Sequence, residues 1–150
     1  MTPSARLQAA IEILDQLQST RQPADRLLRD WARAHRFAGS KDRAAIGERV
    51  FALLRHRFSF AWRMQSDTAR AAVIASLVAE GKLDEVDALF DGSRYAPFPL
   101  TEEERMRAAS VPSQPAPLFV QGEFPEFLQS ELLRAFGENL LAETKALATR

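Results

Sequence analysis

Residues 37–56 read FAGSKDRAAIGERVFALLRH, and this stretch decides the fold class of the chain. Phe37-Ala38-Gly39 interrupts the segment before it, and Ser40 is a residue type favoured at the N-cap of a helix. The apolar residues that follow recur at helical spacing and share one face: Ile46, Val50, Leu53 and Leu54. Gly47 costs about 1 kcal/mol relative to alanine inside a helix, so we expect it to allow close contact with a neighbouring helix.

Helical signals continue on both sides of this stretch. A proline in the first turn suits a helix start, and a glycine commonly follows a helix end. Segments predicted to be helical begin at Pro3, run from Pro23 to about His35 and from about Thr68 to Glu80, cover residues 82–90, and begin again at Thr101. The segment that ends before Gly81 is apolar along most of its length, so we expect it to be the central helix.

The character of the chain changes after residue 109. Residues 110–123 contain three prolines with serine and glutamine, which indicates an extended connector. Residues 124–136 and 138–149 again have helical patterns, and no segment alternates with period two. We therefore predict an all-α protein with a helical domain at 1–109, a Pro-rich connector at 110–123 and further helices at 124–150. The last pattern has no closing element, so we expect the chain to be a piece of a longer protein.

The composition argues against several function classes. The 150 residues include no cysteine, which excludes a disulfide framework, a thiol nucleophile and a thiolate metal site. No apolar run approaches the roughly 20 residues that span a bilayer, so we expect no membrane segment. The lack of cysteine fits a reducing compartment, and we expect the protein in the cytoplasm. The two histidines lack a ligand partner at helical spacing, and no phosphate-binding glycine loop is present. We therefore predict no catalytic residue, no metal and no cofactor within this chain.

A formal net charge of zero conceals an uneven distribution. Residues 1–70 hold thirteen Lys or Arg and seven Asp or Glu, a net charge of +6, whereas residues 71–150 have the reverse counts. Such a division indicates a polyanion or an acidic partner for the basic half. The alternative is that the two halves neutralise each other within the fold.

Four arginines form the densest basic pattern. Arg26, Arg29, Arg33 and Arg36 fall within an arc of about 80° on one helix. Guanidinium groups bind phosphates with paired hydrogen bonds, so such a row is typical of nucleic-acid binding. The candidate RNA-binding residues are Arg26, Arg29, Arg33, Arg36, Lys41, Arg49 and Arg55. A solvated arginine face or a site for an acidic protein would give the same pattern.

Other residues of the basic half have a structural interpretation. Arg43 and Arg57 fall towards the apolar side of the third helix, where an arginine is usually paired or extends its head group to solvent. The nearby aromatic residues could stack on bases, but their helical spacing favours packing in the core. These aromatics are Phe51, Phe58, Phe60 and Trp62.

The stretch from Phe37 to His56 resembles the central helix of NusB-like RNA-binding domains. It is most similar to the version at the N-terminus of the Sun/NOL1/NOP2 family of RNA (cytosine-5-)methyltransferases. The Ser-Lys-Asp-Arg entry and the Val-Phe-x-Leu-Leu-Arg-His exit carry this resemblance. Phe124-Pro125-Glu126-Phe127-Leu128, followed by residues 132–137, resembles the helix that leads into the catalytic region of that family.

The resemblance implies a NusB-like helical bundle joined to the first helices of a methyltransferase module. Members of the family use S-adenosylmethionine and a pair of cysteines to methylate C5 of cytosine, typically in ribosomal RNA. This chain has no cysteine, so the resemblance implies an RNA-binding accessory domain whose catalytic domain and cofactor lie elsewhere. The other functional hypothesis is a protein-interaction module of the transcription-antitermination type that binds an acidic partner.

Overall fold

The computed structural model describes residues 1–148, and this part of the chain contains helices and no β-strand. The prediction of an all-α fold is confirmed. The α-helices are α1 (Pro3–Ser19), α2 (Ala24–Ala34), α3 (Ser40–Arg55), α4 (Arg57–Met64), α5 (Ala69–Ala79), α6 (Val86–Leu89), α7 (Glu102–Ala109), α8 (Leu118–Gln121), α9 (Gln129–Phe136) and α10 (Leu140–Ala148). Three 3-10 turns precede α6, α9 and α10 at Leu83–Glu85, Glu126–Leu128 and Gly137–Asn139.

Helix α5 is central to the bundle, as the sequence predicts. Apart from Arg70, its residues from Ala69 to Leu77 are buried, which is typical of a helix enclosed on all sides. Helices α1, α3, α4 and α7 pack around it. The oxygen of Thr68 accepts a hydrogen bond from the amide of Ala71, and Gly81 with a φ of +75° follows the helix end.

The start of α3 differs from the prediction. Gly39, rather than Ser40, is the N-cap, and Ser40 is the first helical residue. The Asp42 carboxylate accepts a hydrogen bond from the Gly39 amide at 3.2 Å and also bonds the Arg6 guanidinium at 2.8 Å. Aspartate, reaching back from the third helical position, therefore does the capping that we assigned to the serine hydroxyl.

The end of the Pro-rich connector is folded rather than extended. Pro117 precedes α8, in which Val120 is buried and the Phe119 ring lies edge-on to Phe58 of α4 at 6.3 Å. Packing against α4 thus overrides the local proline pattern in this part of the connector. After it, Phe124 is buried, and the Gly122 Cα lies so close to its ring that an added Cβ would clash at 2.4 Å.

Helices α9 and α10 pack chiefly on each other, with Leu140 and Thr144 buried. The predicted end of the last helix at Thr149, like Arg150, lies outside the described residues. Across residues 1–148 no helix combines the length and the apolar character that crossing a bilayer requires.

Candidate nucleic-acid interface

Helix α2 positions the predicted arginine row by burying its opposite side. Leu27 and Trp31 are 7% and 9% exposed, and the helix packs on α1. An isolated helix of eleven residues is marginal in water, so this packing is what holds α2 in place. Its polar side is exposed to solvent. We use the name α2 basic face for the exposed arginines on this side of α2, Arg26, Arg29 and Arg33, together with Arg36 just after the helix.

The arginines of the α2 basic face are exposed and have little pairing with carboxylates. Arg33 has a carboxylate oxygen of Asp30 at 4.0 Å, but both side chains are more than half exposed. Such a pair contributes little and is readily exchanged for another anion. Within residues 1–148 no other ion pair involves this face. The suggestion that the two charged halves neutralise each other therefore does not account for α2.

Arg36 and Lys41 lie at the turn between α2 and α3. The helix ends at Ala34, one residue before the predicted end, so Arg36 belongs to the turn rather than to the helical row. The amide of Ala38 donates to the His35 carbonyl at 3.0 Å and closes this turn. Lys41 then follows in the first turn of α3, and both cationic side chains are exposed. The turn thus continues the basic surface from one helix to the next.

A groove separates α2 from α3 and has a basic residue on each side. It has a volume of about 260 Å³, an apolar floor that includes Leu28 and Ile46, and the side chains of Arg29 and Arg43 in its walls. A Cβ on Gly47 would lie 4.0 Å from Leu28, an ordinary contact distance, so the structure does not bear out the expectation that this glycine allows a close helix contact. Arg43 is exposed and makes one long hydrogen bond, 3.5 Å, to the Ala38 carbonyl. Its position on the helix wheel predicted a structural role, whereas the structure places it in the wall of the same groove as Arg29.

Arg49 lies away from this surface. Its side chain is 19% exposed, and its guanidinium donates to the Glu80 carboxylate at the end of α5 and, at 3.1 Å, to the Ser76 hydroxyl. On the α3 helix wheel it is about 120° from Arg55, because six residues at about 100° each separate the two positions. Arg49 therefore joins the basic and acidic halves of the fold, and we leave it out of the interface.

Arg55 lies at the far end of α3. Fourteen residues separate it from Lys41, which corresponds to about 21 Å along the helix axis. It is exposed and adjoins His56, whose pKa is lowered by burial and by the Arg55 charge. Arg57 is also exposed, with its guanidinium 5.0 Å from the centre of the Phe58 ring. These cations form a second basic area, separate from the α2 basic face.

The aromatic residues named from the sequence divide between core and surface. Phe60 is buried, as expected from its spacing, and Phe58 and Trp62 are partly buried. Phe51 is 38% exposed, so the prediction of core packing is wrong for this residue. Sequence reasoning also missed Phe37, which is 71% exposed at the turn beside Arg36.

Glu123 ties the connector to the helical bundle. Its carboxylate accepts hydrogen bonds from the amides of Phe58 and Ser59 at 3.0 and 3.2 Å, in the first turn of α4. Burial raises the pKa of Glu123 to about 7, although the two backbone donors act to lower it. His56 lies 3.9 Å from this carboxylate. No local sequence pattern predicts the hydrogen bond between Phe58 and Glu123, because 65 residues separate them.

A larger hollow than this groove lies elsewhere, where the end of α1 meets α4 and α5. Its volume is about 670 Å³, and its charged wall residues are of both signs: Asp15, Arg21, Arg57 and Asp67. Mixed charge favours a polyanion less than the α2 basic face does. Residues 1–148 contain no group of His, Cys, Asp and Glu side chains arranged to hold a metal ion.

Comparison of the chain with protein-family models, with curated proteins and with solved structures found no match.

Proposed function

We propose that this chain is an RNA-binding accessory domain that holds RNA for an S-adenosylmethionine-dependent RNA (cytosine-5-)methyltransferase, with ribosomal RNA as the substrate class. The α2 basic face is the observation that carries RNA binding. Three of its arginines lie on one side of a helix anchored by Leu27 and Trp31, and they span about 10 Å along the helix axis.

The chemistry of the face suits a phosphate backbone. Exposed guanidinium groups pair with phosphate oxygens, and the release of counterions from the nucleic acid drives association. Arg43 and Lys41 extend the basic surface across the groove and the turn. A cluster of this kind positions RNA without reading its sequence, which is what an accessory domain requires.

The link to cytosine methylation comes from the resemblance of residues 37–56 and 124–137 to the Sun/NOL1/NOP2 family. Under this proposal the helices after the connector lead into a cytoplasmic catalytic domain that supplies the cysteines and binds S-adenosylmethionine. We assign no catalytic residue and no cofactor contact to residues 1–148.

The test is binding of the whole chain to a structured ribosomal RNA fragment at two or more salt concentrations. We expect the logarithm of the association constant to fall linearly with the logarithm of the salt concentration. Replacing Arg29 and Arg33 by Glu should weaken binding at least about tenfold and reduce the salt slope by about 1 for each lost phosphate contact.

Arg134→Glu with Lys145→Glu is the matched control, because it changes the net charge equally at exposed positions on α9 and α10. Its affinity should stay close to that of the unmodified chain. Salt-independent binding, or equal losses in both double variants, would refute phosphate contact by the α2 basic face. Capture of an acidic protein partner that survives nuclease treatment, without RNA binding, would instead support the interaction-module hypothesis.

A further inference from the structure

Phe37 is an exposed ring on a fixed support. It is 71% exposed, yet the turn that carries it is closed by the hydrogen bond from the Ala38 amide to the His35 carbonyl. The side chain of Ala38 is buried, so the residue after Phe37 is anchored in the core. The position of the ring is therefore set by its neighbours, although most of its surface is in contact with solvent.

A continuous series of rings connects Phe37 to the interior. The Phe37 ring meets His35 edge-on, with 5.8 Å between centroids. His35 in turn stacks on Trp31, with centroids 4.3 Å apart and planes inclined by 11°, and its Nδ1 lies 2.8 Å from the Trp31 carbonyl oxygen. Because His35 can cover at most one face of the Phe37 ring, which is 71% exposed, the other face can receive another ring.

Cationic residues flank Phe37 along the chain. Arg36 precedes it, Arg33 lies in the last turn of α2, and Lys41 lies in the first turn of α3. The nearest carboxylate along α3, Asp42, is already neutralised by Arg6 and by the N-terminal amino group. Within residues 1–148 no guanidinium lies over the Phe37 ring, in contrast to Tyr95, which is covered by Arg94 at 5.0 Å.

We propose that Phe37 is a stacking platform for one unpaired RNA base, with Arg33, Arg36 and Lys41 binding the phosphates on either side of that nucleotide. A single exposed apolar residue needs no function by itself. The combination of a fixed ring, a free face and flanking cations is the arrangement that binds single-stranded nucleic acid. This proposal rests on the RNA-binding function proposed above and makes it more specific, since bases inside a duplex already stack on their neighbours and present no free face to the ring.

The experiment compares two RNA probes that share one hairpin. One probe is blunt, and the other has a short single-stranded overhang that contains 2-aminopurine, whose fluorescence is quenched by stacking. Phe37→Ala should weaken binding of the overhang probe about 5- to 100-fold and abolish the quenching, while binding of the blunt hairpin stays unchanged. Phe37→Trp should retain both affinity and quenching.

Two further variants separate stacking from other effects. Phe37→Leu keeps an apolar side chain without a ring and should behave like Phe37→Ala. Phe98→Ala removes an equally exposed ring, 78% exposed, from the acidic half and should change neither probe. The proposal is overturned if Phe37→Leu binds the overhang as well as the unmodified chain, or if Phe37→Ala weakens both probes equally or weakens neither. If the unmodified chain binds no RNA at all, the proposed function itself fails.

Discussion

The carboxylate of Glu123 lies 3.0 Å from the amide nitrogen of Phe58 and joins the end of the connector to the first turn of α4. A carboxylate at this place satisfies amides that have no partner inside the helix. Glu123 also adopts a left-handed backbone conformation, with a φ of +56°, which a residue other than glycine adopts at an energetic cost. The contact therefore holds a strained residue, a buried charge and a helix end together.

Glu123 should make the stability of the connector depend on pH. Its pKa, about 7 in the folded chain, is above its ordinary value of 4.5, so the folded chain binds more protons than the unfolded chain between these values. The free energy of unfolding should therefore fall as pH rises from 4.5 through 7, by up to about 3 kcal/mol. Urea unfolding at a series of pH values measures this change.

Two substitutions at this position separate its charge from its hydrogen bonds. Glu123→Gln keeps an oxygen for the Phe58 amide and should remove the pH dependence. Glu123→Ala loses the helix cap as well and should cost about 1 kcal/mol at pH 5. A fall of equal size in Glu123→Gln would contradict the assignment to Glu123. His56, 3.9 Å away, could not account for it, because its lowered pKa makes stability rise with pH.

Arg49 should matter for stability and not for RNA affinity. Arg49→Ala removes its ion pair with Glu80 and its bond to Ser76, and we expect a loss of about 1 kcal/mol in the free energy of unfolding. Since its charge faces α5, RNA affinity should change less than about twofold once salt screens it. A loss of RNA affinity as large as that of Arg29→Ala would restore Arg49 to the interface.

Asp42 should stabilise the fold at neutral pH, and this contribution should be lost in acid. Its hydrogen bond from Arg6 is the largest cause that holds its pKa below 3.8. A carboxyl with a lowered pKa adds stability above its unfolded pKa and loses it as pH falls through the folded value. Asp42→Asn should therefore lower the melting temperature at pH 7 and lose less stability than the unmodified chain below about pH 4. Asp15→Asn, at an exposed position of α1, should match the unmodified chain in a thermal melt at both pH values.

Trp31 should be the residue on which α2 depends most. Trp31→Ala leaves a cavity and should cost about 3–5 kcal/mol. The indole Nε1 is buried and has no hydrogen-bond partner among residues 1–148, and an unsatisfied buried donor is costly. Trp31→Phe removes that donor and keeps a ring beneath His35, so it should lose less than half as much. Equal losses in the two variants, measured by urea unfolding, would contradict this account.

The sequence predicts the helices well where local signals agree. The spacing of Ile46, Val50 and Leu53 and the capping box that begins at Thr101 both correspond to observed structure. The prediction of α2 is one residue too long, because the turn at His35 is set by contacts with Trp31 that spacing does not show. The connector at residues 118–121 is helical because of distant contacts with α4, which no local pattern contains.

The candidate interface is only partly visible in the sequence. The exposed row on α2 follows from helical periodicity, since one helix wheel relates its members. Grouping Arg49 with that row requires the relative placement of α3 and α5, and the structure shows Arg49 beside Glu80 instead. Arg43 shows the opposite error. Its position near the apolar stripe predicted a structural role, but its side chain reaches solvent at the groove between α2 and α3.

The uneven distribution of charge makes this molecule an electric dipole despite its zero net charge. The glutamates of α7 each lie beside an arginine, whereas the arginines of the α2 basic face are exposed, so the positive pole is the α2 basic face. A dipole in the field of a polyanion experiences a torque, which turns the molecule before any contact forms. Under the proposed function, the domain would therefore arrive with the α2 basic face towards the nucleic acid.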